Sequence, residues 1–372
     1  MSLNRIIIMK KRNDQLIFMT GGGSAGHIVP NLAIADELKK SGISCEYLGR
    51  PYGMEYDMVT GAGIPFLKMN SGRLHRSFSM DTLLTPFRVI QGTFQAVRWI
   101  RKKRPGAIFC KGGFMSLPLA AAGWLTKTPT VLHESDLTPG LANKLCGPFA
   151  EKICCTFEQT LEYLPKEKAV YTGTPIRAAL LEGSRDKGFE MTGLKKPEEG
   201  GKPVLMIVGG SLGAGVLNEI VAENLEELLT KFQMVHLYGV DEEKEPTPRE
   251  GYYPLQYAGN ELPDLFAMTD LVLSRAGANA INEFLMLKLP AVLVPLPVGV
   301  SRGDQVLNAK QFAASGFSYL LEQDHMNHDT LMEALDHVLT HAEEYKAAMN
   351  SDKAKNGTVE LARVIMGVRK DA

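Results

Sequence analysis

Cysteine is scarce in this chain of 372 residues: the five present (Cys45, Cys110, Cys146, Cys154 and Cys155) are odd in number and lack the spacing of a metal site or a redox pair. That argues against a disulfide framework or a cysteine-held metal, and the five read as reduced thiols packing as small hydrophobes. Long apolar runs are missing as well. The longest, residues 114–125, is interrupted by Ser116 and Pro118, whereas a membrane-spanning helix needs about 20 consecutive apolar residues. Residues 289–300 carry three prolines and read as a buried strand leading to a loop, and the apolar stretch at 6–9 is too short for a secretory signal. Acid is locally absent too. Between Met58 and His133 the only acidic residue is Asp81, against eleven lysines and arginines, an imbalance hidden by the net charge of −1. Such a region addresses an anionic partner: nucleic acid, a phosphate-bearing substrate or a membrane surface.

What is present is a repeated alternation of strand and helix. Apolar runs of strand length lie at residues 16–19, 44–48, 107–109, 130–132, 152–155 and 169–171, and again at 204–208, 233–238, 253–257, 271–273, 291–294 and 318–320. Helical periodicity between them, as at 31–41 and 218–231, predicts βαβ units, hence parallel sheets covered by helices on both faces. The length suits two domains, each with its own core. Gly173-Thr174-Pro175 reads as the hinge, so the expected domains are 1–173 and 174–344. Residues 183–203, rich in glycine and charge, read as an exposed loop. Residues 343–368 read as helical with no strand after them, so that about 345–372 is expected to pack back onto the first domain.

Two of the strands end in glycine loops. Residues 16–19 run into Gly21-Gly22-Gly23-Ser24-Ala25-Gly26-His27, and residues 204–208 into Gly209-Gly210-Ser211-Leu212-Gly213-Ala214. A strand that turns through small residues into a helix brings backbone N–H groups and a positive helix end to an anion. Gly21, Gly23 and Gly26 fit the dinucleotide fingerprint, and Glu46 stands where a ribose-binding acid would, which keeps a dehydrogenase open on this motif alone. His27, directly after the last glycine, has no use in a redox cofactor loop. It suits a group-transfer enzyme whose base takes a proton from an attacking hydroxyl, the plain alternative being a histidine that caps the helix.

The second half adds Ser274-Arg275-Ala276-Gly277-Ala278-Asn279, which follows a strand and opens a helix reaching Glu283. The N–H groups around Ala278 and Asn279 suit a diphosphate, and Glu283 can accept from two ribose hydroxyls, although an ordinary exposed helix acid reads the same way. Further on, Asp304 and Gln305 put an acid beside an amide, which together offer acceptors and donors to sugar hydroxyls. In the basic region Phe78, Met80, Leu83, Leu84 and Phe87 are interspersed with Arg73, Arg76 and Arg88, a composition suited to pressing on an anionic bilayer. Leu83, Phe87, Ile90, Phe94 and Val97 also repeat at helical spacing and read in part as core, with the residues before Phe87 assigned to the surface.

Taken in order, residues 21–30, Lys111-Gly112-Gly113-Phe114, His133-Glu134-Ser135-Asp136, Thr172-Gly173-Thr174-Pro175-Ile176-Arg177, 209–214, 275–283 and Asp304-Gln305 closely resemble the MurG family. Its members are N-acetylglucosaminyltransferases that complete the lipid-linked peptidoglycan precursor. The resemblance implies a GT-B type α/β fold, two Rossmann-like doubly wound domains facing a central cleft, the first on the acceptor and membrane side and the second binding the UDP-sugar. It implies UDP-N-acetylglucosamine as donor, the undecaprenyl-diphosphate-linked lipid I as acceptor, and neither metal nor separate cofactor. It further implies peripheral attachment to the cytoplasmic face of a bacterial membrane, other cell-wall synthesis proteins as partners, and no nucleic acid.

Carried over by position, His27 is the expected base, with Glu134 as substitute. Ser24, Gly26, Asp136, Arg177, Ser211, Ala278, Asn279, Ala280, Glu283, Asp304 and Gln305 are expected on the donor, and Gly23, Ala25, Gly112 and Gly113 on the acceptor. The chain departs from the family where His-Glu-Gln-Asn is common and Ser135 and Asp136 stand, and where glycine is common and Ala25 and Leu117 stand. An acid at 136 bears on how that loop reads an N-acetyl sugar. Two alternatives therefore stay open: a related lipid glycosyltransferase, such as one glucosylating diacylglycerol, and a non-catalytic sugar-nucleotide-binding subunit.

Overall fold

Strand β1 (Asn13–Thr20) sends Leu16 and Phe18 to one face and Ile17 and Met19 to the other, and all four are buried. A strand covered on both sides requires that two-residue repeat. In this computed structural model, which describes residues 12–71, 80–210, 213–239, 245–300, 302–352 and 356–369 (side chains excepted at 80–84), β1 is an interior strand of the first of two sheets. The others are β2 (Ser44–Gly49), β3 (Phe66–Lys68), β4 (Pro105–Cys110), β5 (Thr130–Glu134), β6 (Lys152–Cys155) and β7 (Ala169–Tyr171), in the order β3-β2-β1-β4-β5-β6-β7. Every pairing is parallel. Ile17 and Met19 meet Ile34 and Leu38 of the helix Ala25–Lys40 and Leu361 and Ile365 near the C-terminus, whereas Leu16 and Phe18 meet Ala96, Ile100 and Leu119.

The second sheet repeats the plan. It contains β8 (Val204–Val208), β9 (Gln233–Leu237), β10 (Tyr252–Leu255), β11 (Leu271–Ser274), β12 (Ala291–Leu293) and β13 (Ser318–Leu320), parallel throughout, in the order β10-β9-β8-β11-β12-β13. Leu205 and Ile207 of β8 pack with Leu271, Leu273 and Val292 and with Leu331 and Leu335 of the helix His328–Thr340.

The chain divides into two compact units: residues Met1–Glu134, Pro139–Pro175 and Gly357–Ala372 make one, and Ser135–Thr138 with Ile176–Asn356 the other. The C-terminal part differs from the expected single helix. Helix Ala342–Ser351 belongs to the second unit, and only the segment from Gly357, with helix Thr358–Gly367, belongs to the first. Gly357 donates to the Thr174 carbonyl at 2.8 Å, and a Cβ there would lie 2.5 Å from the Gly173 oxygen, so the crossing needs glycine. The helix expected at 218–231 is two, Gly215–Glu223 and Leu225–Lys231. They part at Asn224, whose side-chain amide donates back to the Ile220 carbonyl at 2.7 Å and competes with the helical ladder. The loop expected at 183–203 contains the helix Arg185–Thr192, capped by Ser184, with Gly188 set against the Asp264 backbone.

Candidate active site

Each sheet reverses its winding once, between β1 and β4 in the first unit and between β8 and β11 in the second. In an open parallel sheet the strand ends beside such a reversal leave a crevice at their carboxyl side, where ligands bind. The loops after these four strands are the glycine loop at 21–24, Lys111-Gly112-Gly113, the glycine loop at 209–214 and Arg275-Ala276-Gly277.

In the first unit two glycine loops lie backbone against backbone. Gly113 has φ +72°, and a Cβ on it would stand 2.6 Å from Gly22 Cα, so neither position has room for a side chain. His27, in the first turn of helix Ala25–Lys40, lays its ring edge over this junction. Its Cδ2 is 2.7 Å from the Cβ position of Gly22, and its Cε1 is 3.6 Å from that of Gly112. That helix has no acid in its first turn and Lys39 and Lys40 in its last, and its positive end lies beside exposed Gly23, Ser24 and Gly26 and half-buried Ala25.

Glu134 ends β5 and is buried; its Oε2 accepts from the Gly140 N–H and from Asn143 Nδ2, both at 2.8 Å. The Asn143 side chain also lies 3.5 Å from the Gly112 Cβ position, so the residue that holds Glu134 and the His27 ring both border Gly112. Behind the loop, fully buried Lys111 and His133 meet at 2.9 Å. An ammonium can only donate, so His133 Nδ1 accepts, and Nε2 carries the proton given to the Gly173 carbonyl at 3.1 Å. Burial, helped by the Lys111 charge, holds His133 well below the ordinary imidazole range. Glu46, the acid of the dinucleotide reading, lies in β2 and is paired with Lys103 at 2.9 Å.

In the second unit helix Ala278–Leu287 starts at Gly277 without a side-chain cap or an acid in its first turn, and bears Ala278, Asn279 and Ala280 at its positive end. Half-buried Glu283 follows one turn later. Desolvation pushes its carboxyl up to about 7, while the charge of Arg177 draws it down, so the two predicted residues lie within electrostatic range of each other without forming an ion pair. Asp304 and Gln305 open helix Asp304–Ala314. Gln305 Oε1 accepts from the Leu296 N–H at 3.0 Å, which turns its NH₂ the other way as a donor. Asp136 lies in the short stretch that belongs to this unit and pairs with Arg302 at 2.6 Å. Ser211 lies outside the described residues, as do Arg73, Arg76 and Phe78, and the side chains of Leu83 and Leu84.

Phe87 is 70% exposed, and so are Ile90 (54%) and Phe94 (72%), three and seven residues on along helix Met80–Lys103. Ile90 and Phe94 thus leave the expected core face. Burial on this helix falls to Ala96 and Ile100.

Residues 17–155 match the glycosyltransferase family 28 N-terminal domain and residues 204–365 its C-terminal domain. The UDP-N-acetylglucosamine–N-acetylmuramyl-(pentapeptide) pyrophosphoryl-undecaprenol N-acetylglucosamine transferase of Clostridium botulinum (strain Langeland) is 44% identical over 94% of this chain and 98% of its own. The chain belongs to glycosyltransferase family 28, in its MurG branch. A second enzyme so named, from Bacillus cereus, is 44% identical over 95% of this chain and 98% of its own. The crystal structure of Acinetobacter baumannii MurG aligns with a TM-score of 0.72 at 25% identity, covering 95% of this chain and 99% of that one. The fold is therefore that of the family, two parallel-sheet α/β domains.

Against the MurG pattern, Lys111, His133, Asn143, Arg302 and Asn308 were not among the site residues read from sequence. Lys111 and His133 stand inside motifs quoted for the resemblance, but their pairing crosses two strands, and no spacing announces it. Among the described residues no group of three His, Cys, Asp or Glu could hold a metal ion, and no helix is long and apolar enough to cross a membrane.

Proposed function

We propose that this protein is an inverting glycosyltransferase that moves N-acetylglucosamine from UDP-N-acetylglucosamine to lipid I, giving lipid II. The observation that carries the reading is the place of Glu283, one turn into helix Ala278–Leu287 with its uncapped start and within the field of Arg177: a carboxylate for ribose hydroxyls near two sources of positive charge for a diphosphate. A hydroxyl of the acceptor sugar attacks the anomeric carbon and its proton passes to His27, with Glu134 as substitute. The bond to the UDP oxygen breaks, and the diphosphate leaves with both bonding electrons. Orientation and charge relief do most of the work, and Arg177 and the helix N-terminus supply the second.

In this reading the second unit holds the donor, through Ser211, Arg177, the helix start, Glu283, Asp304, Gln305 and Asp136. The first unit takes the acceptor diphosphate at Gly23, Ala25, Gly112 and Gly113. Because protein charges relieve the leaving diphosphate, turnover is expected to survive a chelator. The exposed Phe87, Ile90 and Phe94, with Arg88 and the arginines before it, support peripheral docking on an anionic membrane. Release of UDP across a panel of donors and acceptors is the test. Turnover confined to UDP-N-acetylglucosamine with lipid I supports the reading; preference for UDP-glucose with diacylglycerol would replace it.

A further inference from the structure

Both carboxylate oxygens of Asp136 are engaged by protein. Oδ2 accepts from Arg302 at 2.6 Å and Oδ1 from Asn308 Nδ2 at 3.3 Å. Fully buried Asn308 also accepts from the Leu137 N–H at 3.1 Å and approaches the Ala276 carbonyl at 3.4 Å, in the turn that opens helix Ala278–Leu287. Arg302 in turn faces a second acid: its Nε lies 3.6 Å from Asp304 Oδ1, within ion-pair range but too long for a hydrogen bond. The Asp304 carboxylate is thus steered by charge while its acceptor sites remain available, and Gln305, fixed through Leu296, presents a donor beside it. Without Arg302, Asp136 and Asp304 would be two like charges on one short stretch of surface.

We propose that Asp136, Arg302 and Asp304 form a charge clamp in which Arg302 is a positioning residue for the donor sugar, orienting the Asp304 carboxylate, and Asp136 is the counter-ion that holds Arg302. The inference rests on the donor reading above and deepens it, because it makes Asp136 act through Arg302 and not by direct contact with the sugar. Asp136→Asn keeps an acceptor oxygen for Asn308 and removes the charge. It is therefore expected to compensate the loss of Arg302 and to be harmful only while Arg302 is present.

The test compares the full chain with Arg302→Gln, Asp136→Asn and the double variant, reading KM and kcat for UDP-N-acetylglucosamine and, separately, Kd for UDP, which lacks the sugar. Arg302→Gln is expected to raise KM roughly five- to tenfold, as suits a half-exposed ion pair, with UDP affinity held within about twofold. The double variant is expected to recover most of that loss. Retained UDP binding reports that each variant is folded. A parallel loss of UDP affinity would overturn the proposal, as would a double variant no better than Arg302→Gln. Failure of the unsubstituted protein to bind UDP would overturn the donor reading itself, and the clamp with it.

Discussion

The ammonium of Lys111 donates to Nδ1 of His133 at 2.9 Å inside the first unit, where neither side chain reaches solvent. The imidazole therefore stays neutral on folding, whereas in the unfolded chain it binds a proton below its ordinary value of 6.5. With the folded value depressed, the unfolded state holds more protons as pH falls through that region, so stability is lost on acidification, by up to about 1.4 kcal/mol per pH unit. Lys111→Met is expected to cost about 1–3 kcal/mol near neutral pH through the lost charged donor. It should also flatten the acid slope, because one cause of the depressed value is gone. Urea midpoints between pH 7.5 and 5.5 measure both effects. An unchanged slope would show that burial alone sets the His133 titration.

Glu55 has the opposite sign. Its Oε1 accepts from the Tyr47 hydroxyl at 3.0 Å, and burial raises the carboxyl to about 7 from 4.5. The folded state keeps a proton that the unfolded state has released, so stability falls as pH rises from about 4.5 to about 7 and is level above. Glu55→Gln should remove that fall and stabilise the protein above neutrality, as thermal midpoints across the range would reveal.

UDP affinity is expected to rise with pH through about 7, since only ionised Glu283 offers its full set of acceptors to ribose hydroxyls. Glu283→Gln should weaken UDP by about 1–3 kcal/mol above that pH and abolish the dependence. Calorimetry in buffers of different ionisation enthalpy reads the affinity and the proton count together. A wild-type isotherm insensitive to pH would remove Glu283 from the ribose.

His27→Ala is expected to lower kcat by about 10²–10⁴ while UDP affinity hardly changes, the behaviour of a base acting only in the transition state. If turnover stays within a few-fold, Glu134→Gln becomes the informative variant. The Asn143 and Gly140 donors on Glu134 would then be holding a reactive carboxylate.

Replacing Phe87, Ile90 and Phe94 together by serine should reduce co-sedimentation with anionic vesicles and activity on a lipid-linked acceptor, and spare activity on a short-chain soluble analogue. Added salt should release the unsubstituted protein, because attraction to a charged surface decays over roughly 8 Å at physiological salt. Equal losses on both acceptors would assign the stripe to substrate binding.

Much of the architecture is written locally, because short apolar runs, glycines at strand ends and the 3.6-residue periodicity report burial within a few residues. The two glycine loops and the two sets of strands could be read that way, and so could the uncapped start at Ala278. Strand β3 could not. Three residues carry no periodicity, and Phe66–Lys68 is a strand only because β2 offers its edge. Nor could sequence tell that Ile90 and Phe94 stay exposed, since a helical stripe looks the same whether or not a neighbour covers it. The remaining decisions were tertiary: His27 beside Gly112, Lys111 against His133, and Asp136 held by Arg302 some 166 positions away. Each joins residues far apart in the chain through hydrogen bonds or close approaches that exist only once parallel strands have aligned their carboxyl ends, so no local pattern of residue types could encode them.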